Sequence, residues 1–151
     1  MKIDRHWWIA IGVAVVAAVA FVLSQTVFGR PSEECRPVKD LLDFNRSQAA
    51  VIESSSGDSE GVPSVGEQAA YQAWADGLAS RAQNVSSPDL ARTAAQVAKL
   101  ADDFVGQMDA VRSQAQSRAP GAPAPPAVYE MAALNDQISR KLAELSDACS
   151  G

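Results

Sequence analysis

Cys35 and Cys149 are the two thiols of the chain, and His6 is its only imidazole. Imidazole is the usual general base and metal ligand near neutral pH. With its one histidine at position 6, the rest of the chain has no Ser-His-Asp triad and no Glu-x-x-His pair of the kind that builds di-metal sites in helical bundles. A Ser-x-x-Lys dyad is also missing. Ser64 lies in GVPSVG, but the spacing is not Gly-x-Ser-x-Gly, and Ser64 reads as a helix cap. Asp102, Asp103 and Asp109 gather on one segment. Neighbouring positions on a helix point ~100° apart, so these acids do not converge as a carboxylate pair and read as a solvated face, or otherwise as a weak calcium or partner contact. The expectation is a protein that is not an enzyme, with no catalytic residues, no metal ligands and no cofactor.

Two further groups remain. Tyr71, Trp74, Phe104, Met108 and Tyr129 recur at helical spacing. Such a set builds a core first; the alternative is a pocket for an apolar ligand, lined by Trp74, Phe104 and Met108. Residues 119–127, APGAPAPPA, are expected not to be helical, and Pro123, Pro125 and Pro126 favour extended polyproline II. They read as a stiff connector, or otherwise as a docking strip for an aromatic groove.

The element that places all of these is the run WWIAIGVAVVAAVAFVLSQTVF, residues 7–28, which holds no charged side chain. As a helix it would be ~33 Å long, enough to cross a ~30 Å hydrocarbon core. Ala18-Val19-Ala20 matches a signal-cleavage pattern, but the apolar run continues to Phe28, so an uncleaved signal-anchor is expected. Ala10, Ala14 and Ala18 recur every four residues. A small-xxx-small face of this kind lets a partner membrane helix come close, although alanine is common throughout the chain. Basic residues flank both sides: Lys2 and Arg5 before the run, Arg30, Arg36 and Lys39 after it. Orientation therefore rests on the short n-region-like tail and on both cysteines lying beyond the run, an even number suited to an oxidising compartment. The expected order is a cytoplasmic tail (1–6), a single span of the inner (plasma) membrane (7–28), a linker (29–36) and an extracytoplasmic helical bundle (37–149).

Four amphipathic stretches follow the linker. The first, 37–53, carries Val38, Leu41, Leu42, Asn45, Ala49 and Ile52 on one stripe. The second starts at Ser64, with Glu67 completing a capping box, and ends near Asn84. Its apolar line is Val65, Ala69, Tyr71, Trp74, Leu78 and Val85. Gly66, Ala70, Ala73 and Gly77 form a small line that admits a close neighbour. The third opens on a serine cap and Pro88 and runs to about Arg118, with Leu90, Ala94, Val97, Ala101, Phe104, Met108, Val111 and Ala115 buried. The fourth, 128–148, buries Met131, Leu134, Ile138, Leu142, Leu145 and Cys149.

The fold class predicted is all-α: an N-terminal transmembrane helix followed by an antiparallel four-helix bundle. In an up-down-up-down bundle the start of the first helix and the end of the fourth share one end. Cys35 and Cys149 would then be neighbours, and a disulfide between them is predicted.

The net charge is −5, and beyond the apolar run 11 basic residues face 17 acidic ones. That balance speaks against nucleic acid as a partner and against a polybasic lipid-headgroup patch. In its MKIDRHWW tail, Ala/Val-rich run, preference for Arg over Lys, APGAPAPP segment and single widely spaced cysteine pair, the chain resembles small single-pass envelope proteins of high-GC actinobacteria, including mycobacteria. Such proteins often serve as accessory subunits of larger envelope machines, for example Mce-type lipid-import complexes or respiratory supercomplexes. The resemblance implies a partner that is an integral membrane complex, in one version a lipid transporter, and transfers no residue role. The alternative function is a tethered extracytoplasmic binding protein for a lipid or other apolar ligand.

Overall fold

The computed structural model of the chain describes residues 32–55, 64–119 and 121–150. All regular structure among these residues is helical. A 3-10 turn (Glu33–Cys35) leads into α1 (Arg36–Ser55), followed by α2 (Val65–Ala82), α3 (Pro88–Gln116) and α4 (Pro126–Ala148). None of these helices is long and apolar enough to cross a membrane. Residues 7–28, with Ala10, Ala14 and Ala18, lie outside the described residues.

Side-chain pairs set the directions of the helices. Between α1 and α2, Asp40 meets Arg81 and Asn45 meets Trp74, so the numbers run opposite ways. Between α2 and α3, Gln68 near the start of one bonds Asp109 near the end of the other, 3.1 Å away. Between α3 and α4, the Ala127 N–H donates to Gln114 Oε1 at 3.3 Å. Each helix is therefore antiparallel to the one before it, and α1 meets α4 through Cys35 and Cys149. The four stripes enclose one core, in which Val38, Leu41, Leu78, Val97 and Leu145 have essentially no exposed surface. A smaller cluster of Val111, Ala127 and Val128 closes the far end of the α3–α4 pair.

Local chemistry explains most boundaries. Ser64 accepts from the Glu67 N–H while the Glu67 carboxylate accepts from the Ser64 N–H, so two otherwise orphaned donors are satisfied at the start of α2. Three expectations need correction. Ser87 occupies the N-cap of α3, but its side chain makes no capping bond; Pro88 at the first position and Asp89 in the first turn remain as the start signals. Residues 119–127 are not wholly extended, because α4 begins at Pro126. A proline at N1 loses no hydrogen bond that a helix would have made. Val65 and Ala69 do not face the core: Val65 is 82% exposed, and the buried side of α2 is Trp74, Ala75, Leu78 and Ala82. The capping geometry turns Val65 outward at the first helical position.

One position of the small-residue line on α2 does admit a neighbour. A Cβ on Gly77 would lie 2.0 Å from Cζ of Phe44 on α1, so the phenyl edge fills the space a side chain would need. The other face of Phe44 is covered by Arg81, whose guanidinium carbon is 3.8 Å from the ring centroid. Arg81 Nε also lies 3.1 Å from Asp40 Oδ2, an ion-pair approach rather than an aligned hydrogen bond, and an Arg81 terminal N–H donates to the Gly77 carbonyl. Gly77→Ala should therefore destabilise the bundle by about 1–3 kcal/mol through overpacking, although alanine is the better helix former by about 1 kcal/mol. In a Phe44→Leu background the clash is relieved, and the same change should become neutral or stabilising. Urea melts of the four proteins in this cycle give the sign directly.

Candidate functional site

The feature that most constrains how this domain is used is the closed end where Cys35 and Cys149 meet. Their sulfurs are 2.00 Å apart and their Cα atoms 5.5 Å apart, at a sequence separation of 114. Both are nearly buried. The 3-10 turn delivers Cys35 just ahead of α1, its N–H donating to the Ser32 carbonyl at 2.9 Å. Cys149 caps the end of α4, its N–H donating to the Ser146 carbonyl. The predicted pairing follows from the topology and is present in the structure. The linked end is also the end where the chain arrives from residues 29–31.

The aromatic set lies deeper in the bundle. Trp74 and Phe104 meet edge to face with centroids 6.1 Å apart, and Tyr71 touches both, at 6.1 Å from Trp74 and 5.3 Å from Phe104. These separations suit the quadrupole preference of aromatic rings. Met108, four residues on from Phe104 on the same face of α3, is fully buried. The structure thus places Trp74, Phe104 and Met108 on the core side and brings Trp74 and Phe104 into mutual contact. Tyr129 is exposed.

Asn45 appears in the sequence as a polar interruption of an apolar stripe; its role is visible only in three dimensions. It is buried and accepts a 2.8 Å hydrogen bond at Oδ1 from the Trp74 indole N–H. The indole has one donor and needs a partner when buried, and Asn45 supplies it across the α1–α2 interface. The signal was present in the sequence as an asparagine in phase with Val38, Leu41 and Leu42.

Burial, and secondarily the Glu67 charge, push the Tyr71 phenol up to about 12 from its ordinary 10.0. The neutral phenol is therefore favoured by the fold. Its contribution is complete below pH 10 and is lost as pH rises from 10 towards 12, because the unfolded chain ionises first. A shift of this size corresponds to about 2–3 kcal/mol by pH 12. Denaturant melts between pH 9 and 12 should show that decline, and Tyr71→Phe should flatten it.

Asp102 and Asp103 line an open groove between α3 and α4 with Gly106, Gln107, Glu130, Ala133, Leu134 and Gln137. Asp103 is paired with Lys99 at 2.7 Å, and Asp109 with Arg112 at 3.2 Å. Among the described residues no group of three or more His, Cys, Asp and Glu is arranged to hold a metal ion. The acids lie along the helix surface, as their spacing indicates. In comparisons with protein-family models, curated proteins and solved structures, nothing matches this chain, so what its architecture means for function rests on its own residues.

Proposed function

We propose that this protein is a non-enzymatic, membrane-anchored accessory subunit of a larger cell-envelope membrane complex, with residues 7–28 as its anchor and the four-helix domain held outside the cytoplasm. A lipid transporter is one such complex. The observation that carries the reading is the place of the disulfide. Only six residues, 29–34, separate the apolar run from Cys35, and Cys35 is bonded to Cys149 at the end of α4. The start of α1 and the end of α4 are thus fastened together a short stretch of chain from the proposed anchor, as suits a domain that must keep one fixed posture above a membrane. A disulfide of this kind persists in oxidising compartments. The lack of a second histidine and of any nucleophile–base spacing supports a binding or scaffolding role over catalysis.

A tethered carrier of an apolar ligand would need Trp74, Phe104 and Met108 to part around its cargo. Trp74 and Phe104 instead pack on one another, and the subunit reading requires no such opening. Extraction of the full chain in a gentle detergent, followed by mass spectrometry, tests the proposal. One integral membrane protein should co-purify in fixed ratio. Ala14→Leu, which obstructs the small-residue face of the anchor, should reduce its yield. A clean monomer would overturn the proposal.

A further inference from the structure

Each cysteine sits at a helix end, and the core begins one turn further in. Cys35 closes the short turn Glu33–Cys35, its N–H donating to the Ser32 carbonyl at 2.9 Å. Cys149 follows the last residue of α4, its N–H donating to the Ser146 carbonyl at 3.2 Å. Val38, three residues after Cys35, and Leu145, four before Cys149, have no exposed surface. Terminal turns open at far lower cost than the packed turns inside them. Asp40–Arg81 and Asn45–Trp74 join α1 to α2, Gln68–Asp109 joins α2 to α3, Ala127–Gln114 joins α3 to α4, and the disulfide joins α4 back to α1. With the thiols reduced, the two cysteine-bearing ends can therefore draw apart while the helices stay packed.

Two facts bracket the stage at which this bond forms. In the unfolded chain, thiols at a sequence separation of 114 rarely meet, whereas packing of the helices brings their Cα atoms to 5.5 Å. In the closed domain each cysteine keeps only 7% of its surface, and disulfide exchange needs access to a sulfur. We propose that the chain is a substrate of a thiol–disulfide oxidoreductase of its compartment, which acts on the folded bundle through a local opening of the Cys35–Cys149 end. One cysteine thiolate attacks the enzyme's disulfide, forming a mixed disulfide and releasing one enzyme thiolate. The second cysteine thiolate then attacks the chain's own sulfur in the mixed disulfide. The Cys35–Cys149 bond forms and the other enzyme thiolate leaves. Two electrons pass from the chain to the enzyme, and the two protons given up by the chain's thiols are matched by two taken up as the enzyme becomes a dithiol. Exposed acids flank the pair: Glu33 and Glu34 just before Cys35, and Asp147 two residues before Cys149. Arg36, the neighbouring base, is engaged with Glu33 at 3.4 Å. This charge disfavours oxidised glutathione, itself an anion, as the direct oxidant. The proposal requires no membrane partner.

The test reduces the full chain in detergent micelles, checks its helicity by circular dichroism, and follows disulfide formation with a thioredoxin-fold dithiol oxidase in its disulfide form. A short dithiol peptide corrects for changes in the oxidase itself, and oxidised glutathione is the comparison oxidant. Opening only the terminal turns exposes little surface, so the corrected rate should change less than about twofold up to about 1.5 M urea. Ala148→Gly, at the exposed last residue of α4, should raise it about two- to fivefold by loosening that turn. The oxidase should outpace oxidised glutathione by roughly tenfold after the same correction. A rate climbing roughly fivefold or more per molar of urea would mean that oxidation needs global unfolding, and would overturn the proposal. A rate indifferent to both urea and Ala148→Gly would overturn it too, since the sulfurs would then be reachable in the closed domain. So would a reduced chain without helical signal, or equal corrected rates with the two oxidants. Each of these outcomes leaves the accessory-subunit reading standing, because co-purification decides that separately.

Discussion

Replacing Cys35 and Cys149 together with alanine should lower the stability of the helical domain by about 4–5 kcal/mol. The magnitude follows from the length of chain closed, 114 positions, through the entropy that the crosslink removes from the unfolded ensemble. For a domain of this size the melting temperature should drop on the order of 15–25 °C. Alanine is the better substitution because both sites are nearly buried, and serine would add two buried hydroxyls to the measurement. The effect has a second signature. α1 meets α4 through this crosslink, so its loss should expose the ends of those two helices to hydrogen exchange before α2 and α3. Two reactive thiols in the native protein, or a melting temperature unchanged by the double substitution, would contradict the account.

The second large effect is expected at Trp74. Trp74→Ala removes a buried indole that contacts Tyr71 and Phe104, a truncation that typically costs about 3–5 kcal/mol. It also leaves the Asn45 carbonyl oxygen buried without its donor. Trp74→Phe separates the two contributions. Phenylalanine retains much of the apolar contact but not the N–H, so its cost should be nearer 1–3 kcal/mol. In an Asn45→Leu background the cost of Trp74→Phe should shrink, since no polar partner is then left behind. Urea denaturation of the singles and the double measures this coupling. Its absence would mean that the Asn45–Trp74 hydrogen bond is not held in solution.

Much of this architecture was legible in the sequence because the helices announce themselves locally. Ser64 with Glu67, and Pro88 with Asp89, mark two helix starts through chemistry confined to one turn. The apolar stripe of α3 needed only its 4- and 3-residue spacing, and Ala94, Val97, Ala101, Phe104, Met108 and Val111 are all buried as that spacing implies. The cysteine pairing was legible for a different reason: it depended on topology alone, and an up-down bundle leaves little choice about which ends meet.

What was not legible depends on partners distant in sequence. Nothing local distinguishes Gly77 from Gly66, yet only Gly77 receives Phe44. Asn45 makes sense only once Trp74, 29 positions away, is brought against it. Val65 fits an apolar line by spacing and still faces outward, because the cap at Ser64 and Glu67 fixes the rotation of the first turn. α4 starts at Pro126, two positions before the expected 128, because two prolines in succession suit an extended strand as well as a helix start. Pro126 at the first helical position is compatible with both conformations until the burial of Ala127 and Val128 decides between them.

The most direct measurement of the proposed function is the native mass of the full chain after extraction of its host cells with a mild detergent. The chain alone is 15.9 kDa. The account predicts a larger particle containing a second, integral membrane polypeptide at fixed stoichiometry, with the Cys35–Cys149 disulfide intact. A particle holding only this chain would contradict it.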